Sequence, residues 1–124
     1  MNSKTETIQN KDFDFLVPRL TKEGLEKNHI IEMIDEYRRF LLLRLVHPDE
    51  LPMYSVPVDK VWHAHILFTH EYRSFCEKVF GHYLDHRPYT KSEFHERRGE
   101  YESTTLALYR EVFGETEPAL WHIT

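Results

Sequence analysis

The sequence has little of several features that other classes of protein depend on. Its 124 residues include a single cysteine, Cys76, so a framework of intrachain disulfides is excluded. Glycine occurs only four times, and we find no internal repeat and no low-complexity segment. The longest aliphatic run, residues 40–46, is interrupted by Arg44 and is far too short to span a bilayer.

Positive charge is also scarce, because 16 basic residues face 21 acidic ones and the formal net charge is −5. A domain built to hold phosphate backbones is usually basic, so we expect no nucleic-acid partner. The first ten residues, MNSKTETIQN, are polar and contain no apolar core of a signal peptide. The sequence therefore predicts a cytoplasmic protein with no membrane partner.

The rest of the composition is that of an ordinary folded domain. Apolar residues make up 40% and charged residues 30% of the chain, a mixture that argues against wholesale disorder. A chain of this length suits one domain that buries its own core without disulfides. We expect a flexible N-terminus over residues 1–12 and a single helical domain over residues 13–124.

One helix is predicted by the spacing of apolar residues in the first half of the chain. Between Ile30 and Leu45 these residues recur at intervals of three and four, which places them on one face of a helix. The pattern predicts a helix over about residues 29–46. Pro48 ends it, because the residue before a proline avoids the helical backbone conformation.

Two further helices are predicted after a proline-rich loop. One runs from near Val58 to about Phe80, where Gly81 offers a left-handed stop. The other takes Ser92 as its cap and ends at Gly114. No stretch alternates long enough to be a convincing strand. The fold prediction is all-α: a small antiparallel helical bundle of three long helices plus a short N-terminal helix or turn.

The stretch VPVDKVWHAHILFTHEYRSFC, residues 56–76, concentrates the residues that carry chemistry. On one continuous helix, Asp59 and His63 share a face because they are four residues apart, whereas His65 lies nearly opposite. Asp59 and His63 could both ligate a metal, or Asp59 could orient His63. His86, brought back by the following loop, could complete that site.

Cys76 and His65 form a second candidate pair on the same predicted helix. They lie about 16 Å apart along a regular helix at 1.5 Å per residue, so one ion cannot bind both unless the helix breaks, and Cys76 would need other partners. Imidazole and thiolate ligands suit zinc or another divalent transition metal. The predicted metal ligands are Asp59, His63, His86, His65 and Cys76.

Each of these assignments has a structural alternative. Cys76 can be a small buried apolar residue rather than a nucleophile. The pair of Asp59 and His63 can be a hydrogen bond that only ties a loop to a helix. Other residues of the stretch are expected in the core: Trp62, Ile66, Phe75 and Val79.

The motif resembles a known family signature. The residues that carry the resemblance are Pro57, Asp59, Trp62, His63, His65, Tyr72, Cys76, Gly81, His86 and Pro88. Together they resemble the glycine-rich domain-containing-protein-like family over about residues 25–121. The resemblance implies a stand-alone helical domain and assigns no chemistry to the motif positions. Large members with glycine-rich segments have suspected RNA binding, which a chain with four glycines does not inherit.

Three functional hypotheses follow from these patterns. The favoured one is a small cytoplasmic module that binds a metal or a partner protein through a site rich in histidine and aspartate. The second is a metal-dependent, hydrolase-like enzyme in which Asp59 and His63 hold a metal that activates water, or His63 acts as a general base. The third is a purely structural adaptor with a histidine–aspartate hydrogen-bond network.

An apolar groove would favour the protein-interaction hypothesis. The candidate lining residues are Tyr54, Tyr83, Tyr89 and Trp121, since tyrosine and tryptophan present large apolar rings with a polar group for orientation.

Overall fold

A computed structural model describes residues 3–124, and those residues form helices and loops without any strand. The all-α prediction is therefore confirmed. The helices are α1 (Ser3–Asn10), α2 (Val17–Lys22), α3 (Lys27–Val46), α4 (Val56–Leu67), α5 (Thr69–Phe80), α6 (Lys91–Glu96), α7 (Arg98–Glu100) and α8 (Ala107–Phe113). A π-helical turn, Tyr101–Leu106, joins α7 to α8, and 3₁₀ turns occur at Asp14–Leu16 and Ala119–His122.

Helix α3 matches the helix predicted from apolar spacing and forms the centre of the core. Ile30, Tyr37 and Leu41 on its predicted face are all fully buried. The helix ends at His47, which has an extended backbone with φ −125° and ψ 90°. This conformation is the one that Pro48 imposes on the residue before it.

The predicted single helix from Val58 to Phe80 is wrong, because the backbone leaves the helical conformation at Phe68 (φ −86°, ψ 68°). The indole N–H of Trp62 donates a hydrogen bond to the hydroxyl of Tyr72 at 2.8 Å. Ten residues on a continuous helix lie about 15 Å apart along the axis, so this bond requires the break. The predicted arrangement of three long helices is not confirmed.

The last helical region begins two residues earlier than predicted. Thr90, not Ser92, caps α6 in a capping box: its hydroxyl oxygen accepts from the backbone N–H of Glu93, and its own backbone N–H donates to the Glu93 carboxylate. The π-helical turn that follows α7 is held at its far end by Thr105, whose hydroxyl donates to the carbonyl of Pro52 at 2.8 Å. Gly114 ends α8 with φ +67°, as predicted.

The N-terminal lead-in, expected to be flexible over residues 1–12, contains helix α1. Residues 1 and 2 of that expectation lie outside the described residues. Ile8 of α1 is fully buried, and the Arg38 guanidinium donates to the carbonyls of Ile8 at 2.6 Å and Lys11 at 2.8 Å. Carbonyls at a helix end lack partners within the helix, so Arg38 of α3 fastens the end of α1 to the core.

A buried carboxylate fastens the C-terminal end of the fold. One oxygen of Glu36 accepts hydrogen bonds from the hydroxyl of Tyr109 at 2.7 Å and from the indole N–H of Trp121 at 2.8 Å. Both aromatic side chains are fully buried, so α8 and the last 3₁₀ turn are tied to α3. Among residues 3–124, no helix combines the length and the apolar character that crossing a membrane requires.

Candidate functional site

A cleft with a volume of about 270 Å³ opens between the loop before α4, the first turns of α4 and the loop that leads to α6. Its lining includes Asp59 and His86, two residues that the sequence predicts as site members, together with Trp62. Its apolar walls are formed by Met53, Tyr54, Trp62, Pro88, Tyr89 and Phe94. The cleft is therefore mainly apolar, with a few charged groups at its edge.

The start of α4 positions the charged end of this cleft. The hydroxyl oxygen of Ser55 caps the helix by accepting from the N–H of Val58 at 3.2 Å, and the same hydroxyl donates to the carbonyl of Leu120 at 2.9 Å. Ser55 thereby fixes the helix start against the C-terminal turn. Asp59 and Trp62 follow at a spacing of three, so both side chains lie on the same face of α4.

Asp59 and His86 form a direct pair at the edge of the cleft. The Nε2 atom of His86 lies 2.5 Å from Oδ1 of Asp59, and a carboxylate can only accept, so Nε2 carries the hydrogen. The imidazole ring also stacks on the indole of Trp62 with centroids 4.1 Å apart and planes 15° apart. No described residue hydrogen bonds to the other ring nitrogen of His86, so Nδ1 is free to meet a ligand.

Aromatic rings form the opposite wall of the cleft. The Tyr54 ring contacts the ring of Tyr89 edge-on at 5.8 Å and the ring of Phe94 at 4.7 Å, and its hydroxyl donates to the Phe94 carbonyl. Burial raises the pKa of Tyr89 to about 12, so this phenol stays protonated and donates to Glu50 at 3.3 Å. The wall is thus fixed by packing and hydrogen bonds before any ligand arrives.

No hydrogen bond joins the side chains of Asp59 and His63, which the sequence predicts as a pair. The His63 side chain is exposed and forms no hydrogen bond or ion pair with any other residue in the described range 3–124. Both residues lie on α4 at the favourable spacing of four, but the Asp59 side chain turns towards His86 instead. Asp59 therefore pairs with the stacked, partly buried imidazole of His86 and not with the exposed side chain of His63.

His65 belongs to a separate, closed network in the core. Its side chain is fully buried, and its Nδ1 accepts a hydrogen bond from the hydroxyl of Tyr37 at 2.7 Å. Its Nε2 donates to the carboxylate of Glu71, which also binds Lys11. Burial lowers the pKa of His65 more than the neighbouring carboxylate raises it, so the imidazole is neutral with both nitrogens in use.

Cys76 lies in the core as a small apolar residue, as its structural alternative predicts. Its side chain is fully buried, and burial raises the pKa of the thiol. A thiol is nucleophilic or metal-binding mainly as the thiolate, so this environment opposes both roles.

The five predicted metal ligands do not come together. Asp59 and His86 meet in the cleft, His65 and Cys76 are in the core, and His63 is on the surface. Within residues 3–124, no three or more histidine, cysteine, aspartate or glutamate side chains are arranged to hold a metal ion. Zinc takes three or four protein ligands, which neither histidine–carboxylate pair supplies. Whether the protein binds zinc stays a prediction, which a measurement of its metal content tests.

Sequence reasoning missed several residues that define the two histidine environments. Glu71 lies six residues after His65, a spacing at which a continuous helix would not place them on one face. Tyr37 could be recognised as core from its helical spacing, but not as a hydrogen-bond partner. Of the predicted groove, Tyr54 and Tyr89 line the cleft, whereas Trp121 is fully buried.

The chain was compared with known proteins and families. The model of an uncharacterised family, described as UCP032817-like, matches residues 3–104, most of the chain. This match overturns the predicted membership of the glycine-rich domain-containing-protein-like family, whose resemblance depended on a short motif with weak flanking matches. No curated protein and no solved structure matches the chain.

Proposed function

The chain belongs to the UCP032817-like family, and we propose that it is a cytoplasmic protein-interaction module that holds a short segment of a partner protein in the cleft. The observation that carries this proposal is the cleft with its aromatic walls and its charged edge. Concave, mostly apolar sites with a few convergent polar groups are the usual form of a binding site.

The rim of the cleft supports a protein ligand. Val56 and Phe94 line the cleft and are 41% and 39% exposed, and the neighbouring Ile123 is 50% exposed. Ile123 is adjacent because its carbonyl accepts from the N–H of Val56 at 2.8 Å. Large apolar side chains grouped around a concavity favour contact with another protein.

The size of the cleft also favours a peptide segment over a complete small molecule. Pockets that enclose drug-sized ligands have volumes of roughly 300–1,000 Å³, and this cleft has about 270 Å³. It can hold one large side chain, while the neighbouring residues of the segment lie across the exposed rim. The fixed aromatic wall reduces the ordering that binding requires.

Selection from a random displayed-peptide library tests this function. The wild-type protein is immobilised beside a Phe94→Glu variant, which places a charge on the rim, and a Val112→Glu variant. Val112 is 40% exposed on α8 and does not line the cleft, so it matches Phe94 in exposure. Circular dichroism confirms that each variant is folded.

We expect related peptides to be enriched on the wild-type protein and on Val112→Glu, and to be lost on Phe94→Glu. The absence of enrichment on the wild-type protein would contradict the proposed function. So would the same enrichment on all three proteins, since binding would then not use the cleft.

The Asp59–His86 pair favours a second candidate function, that of an enzyme. Asp59 holds His86 in one orientation with Nδ1 free, the arrangement of an oriented general base. In this candidate function the pair takes the role that the sequence gives to Asp59 and His63, whose side chains form no hydrogen bond with each other. A screen of chromogenic ester, amide and phosphate substrates would show turnover by the wild-type protein that disappears in His86→Ala.

A further inference from the structure

The charges around the cleft are unequal, and their balance bears on the ligand. The lining contains three carboxylates, Glu50, Asp59 and Asp85, and one guanidinium, Arg87. Three carboxylates against one guanidinium leave an excess of negative charge in the lining, part of which Arg97 offsets by binding Glu50 from beside the cleft. A ligand of the same sign would be repelled, and a positively charged ligand would be attracted.

The one cation of the lining is already engaged. The Arg87 guanidinium donates to Glu93 at 2.8 Å, lies 3.7 Å from a carboxylate oxygen of Glu50, and covers the ring of Tyr89 at 5.6 Å. An anionic ligand would have to compete with both carboxylates for it. His86 is no substitute, because its Nε2 is bound to Asp59.

The amino end of α4, another possible anion site, is closed as well. Free N–H groups at a helix start attract anions, but here the N–H of Val56 donates to the carbonyl of Ile123. Pro57 has no N–H, and the N–H of Val58 donates to Ser55. Within the described residues, the first N–H groups of α4 are therefore already engaged.

Acceptors, by contrast, remain open. Asp59 uses only Oδ1 towards His86, and its second oxygen has no hydrogen bond to a described residue. Asp85 is exposed and forms no hydrogen bond or ion pair with any residue between 3 and 124. A ligand with several N–H donors and a positive charge fits these acceptors.

The apolar walls distinguish arginine from lysine as that ligand. The long stem of either side chain can lie on Met53, Pro88 and Phe94. Only the planar guanidinium also stacks on aromatic rings and pairs with carboxylates through two hydrogen bonds. The protein already uses this arrangement beside the cleft, where the Arg97 guanidinium lies 5.2 Å from the centre of the Tyr89 ring and binds Glu50.

We infer that the ligand of the cleft is an arginine side chain of a partner protein, flanked by apolar residues. This inference rests on the proposed function. The guanidinium binds the open oxygens of Asp59 and Asp85. The stem lies along the apolar wall, and the flanking residues cover Val56 and Phe94 at the rim.

A series of five-residue peptides, acetylated and amidated at their ends, tests this ligand class by isothermal titration calorimetry. The central residue is arginine, lysine, citrulline, leucine or glutamate, between leucines and terminal glycines. Citrulline keeps the shape of arginine without its charge. We expect affinity to fall in the order arginine, lysine, citrulline. Citrulline should bind about tenfold more weakly than arginine, because it cannot form the charge-assisted hydrogen bonds. The glutamate peptide should not bind.

Variants locate the binding. Asp85→Asn should weaken the arginine peptide by about tenfold and leave the leucine peptide unchanged, because Asp85 supports no other part of the fold. Glu111→Gln, which removes an exposed acid from α8, should change neither affinity.

Equal binding of the arginine, citrulline and leucine peptides would overturn this inference and leave the proposed function intact. The same holds if the displayed library yields cleft-dependent peptides without arginine. If no peptide binds and the library yields none, both the inference and the proposed function fail.

Discussion

The two histidine–carboxylate pairs of this protein share their chemistry and differ in their surroundings. His65 and Glu71 meet in the core, where the histidine is fully buried and Tyr37 occupies its second ring nitrogen. His86 and Asp59 meet at the edge of a cleft, where side-chain exposures are 21% and 42% and the second ring nitrogen has no partner.

The two pairs differ in how many ring nitrogens of the histidine already have a hydrogen-bond partner. This number distinguishes a structural histidine from a candidate functional one. A buried polar group with all its hydrogen bonds made stabilises and specifies the fold. A histidine whose second ring nitrogen has no partner, and which lies in a concave site, can still bind a ligand. His65 therefore has the contacts that the structural hypothesis expects, and His86 is the histidine on which the proposed binding function depends.

The largest expected effect comes from removing the buried histidine. His65→Ala leaves the Tyr37 hydroxyl and the Glu71 carboxylate without their partner and creates a cavity, so we expect a loss of about 3 kcal/mol in the free energy of unfolding. Urea denaturation followed by circular dichroism measures it. The matched control, His63→Ala, should stay within about 0.5 kcal/mol because His63 is exposed. A comparable loss in both variants would break the comparison.

The buried histidine should also make stability depend on pH. Burial lowers its pKa from the ordinary value of 6.5, so below pH 6.5 the unfolded chain binds the proton more readily than the folded protein. The contribution of His65 to the free energy of unfolding is therefore complete above pH 6.5 and decreases as the pH falls towards the lowered pKa.

This decrease can be isolated by comparing the wild-type protein with His65→Gln in urea at pH 7.5 and pH 5.5. The stability advantage of the wild type should be smaller at the lower pH. An advantage of equal size at both values would show that His65 has an ordinary pKa in the folded protein.

Removing the open histidine should have a smaller effect on stability and a larger one on binding. A partly exposed hydrogen-bonded or charged side-chain pair contributes about 0–1 kcal/mol, so His86→Ala should lower the free energy of unfolding by about 1 kcal/mol or less. It also removes the group that stacks on Trp62, so affinity for any cleft-dependent peptide should fall. Urea denaturation and calorimetry on the same preparation separate the two effects. A stability loss as large as that of His65→Ala would contradict the distinction between the pairs.

The smallest expected effect concerns metal. Each pair offers one imidazole and one carboxylate, and a zinc site needs at least one more protein ligand. Elemental mass spectrometry on untagged protein, purified without chelator, should find well below one equivalent of zinc or another transition metal. One equivalent that disappears in Asp59→Ala would restore the metal hypothesis for the cleft pair.

Local patterns in the sequence predicted the features that depend on local geometry. Apolar spacing located α3, and Gly81 and Gly114 located the ends of α5 and α8. An offset of two residues on a helix predicted that His63 and His65 face different sides, and they do: one is exposed and the other buried.

Features that depend on distant contacts could not be predicted. The break at Phe68 has neither proline nor glycine to mark it; the Phe68 ring packs on Phe15 at 5.1 Å, across more than fifty residues of chain. The partner of Asp59 is equally remote, since His86 lies 27 residues away and returns only because of the path of its loop. Sequence reasoning could name Asp59 and His86 as candidates, but not their contact.

The π-helical turn at Tyr101–Leu106 bears on how this family tolerates insertions and deletions. Such a turn holds one residue more than the α-helical register allows. Deleting one residue there would return the segment to regular α-helix, and the downstream helix would keep its orientation because the turn absorbs the extra residue. Tyr109 would still donate to Glu36, and the shared anchor of Trp121 would remain. Relatives that lack the extra residue should therefore keep the glutamate at the position of Glu36.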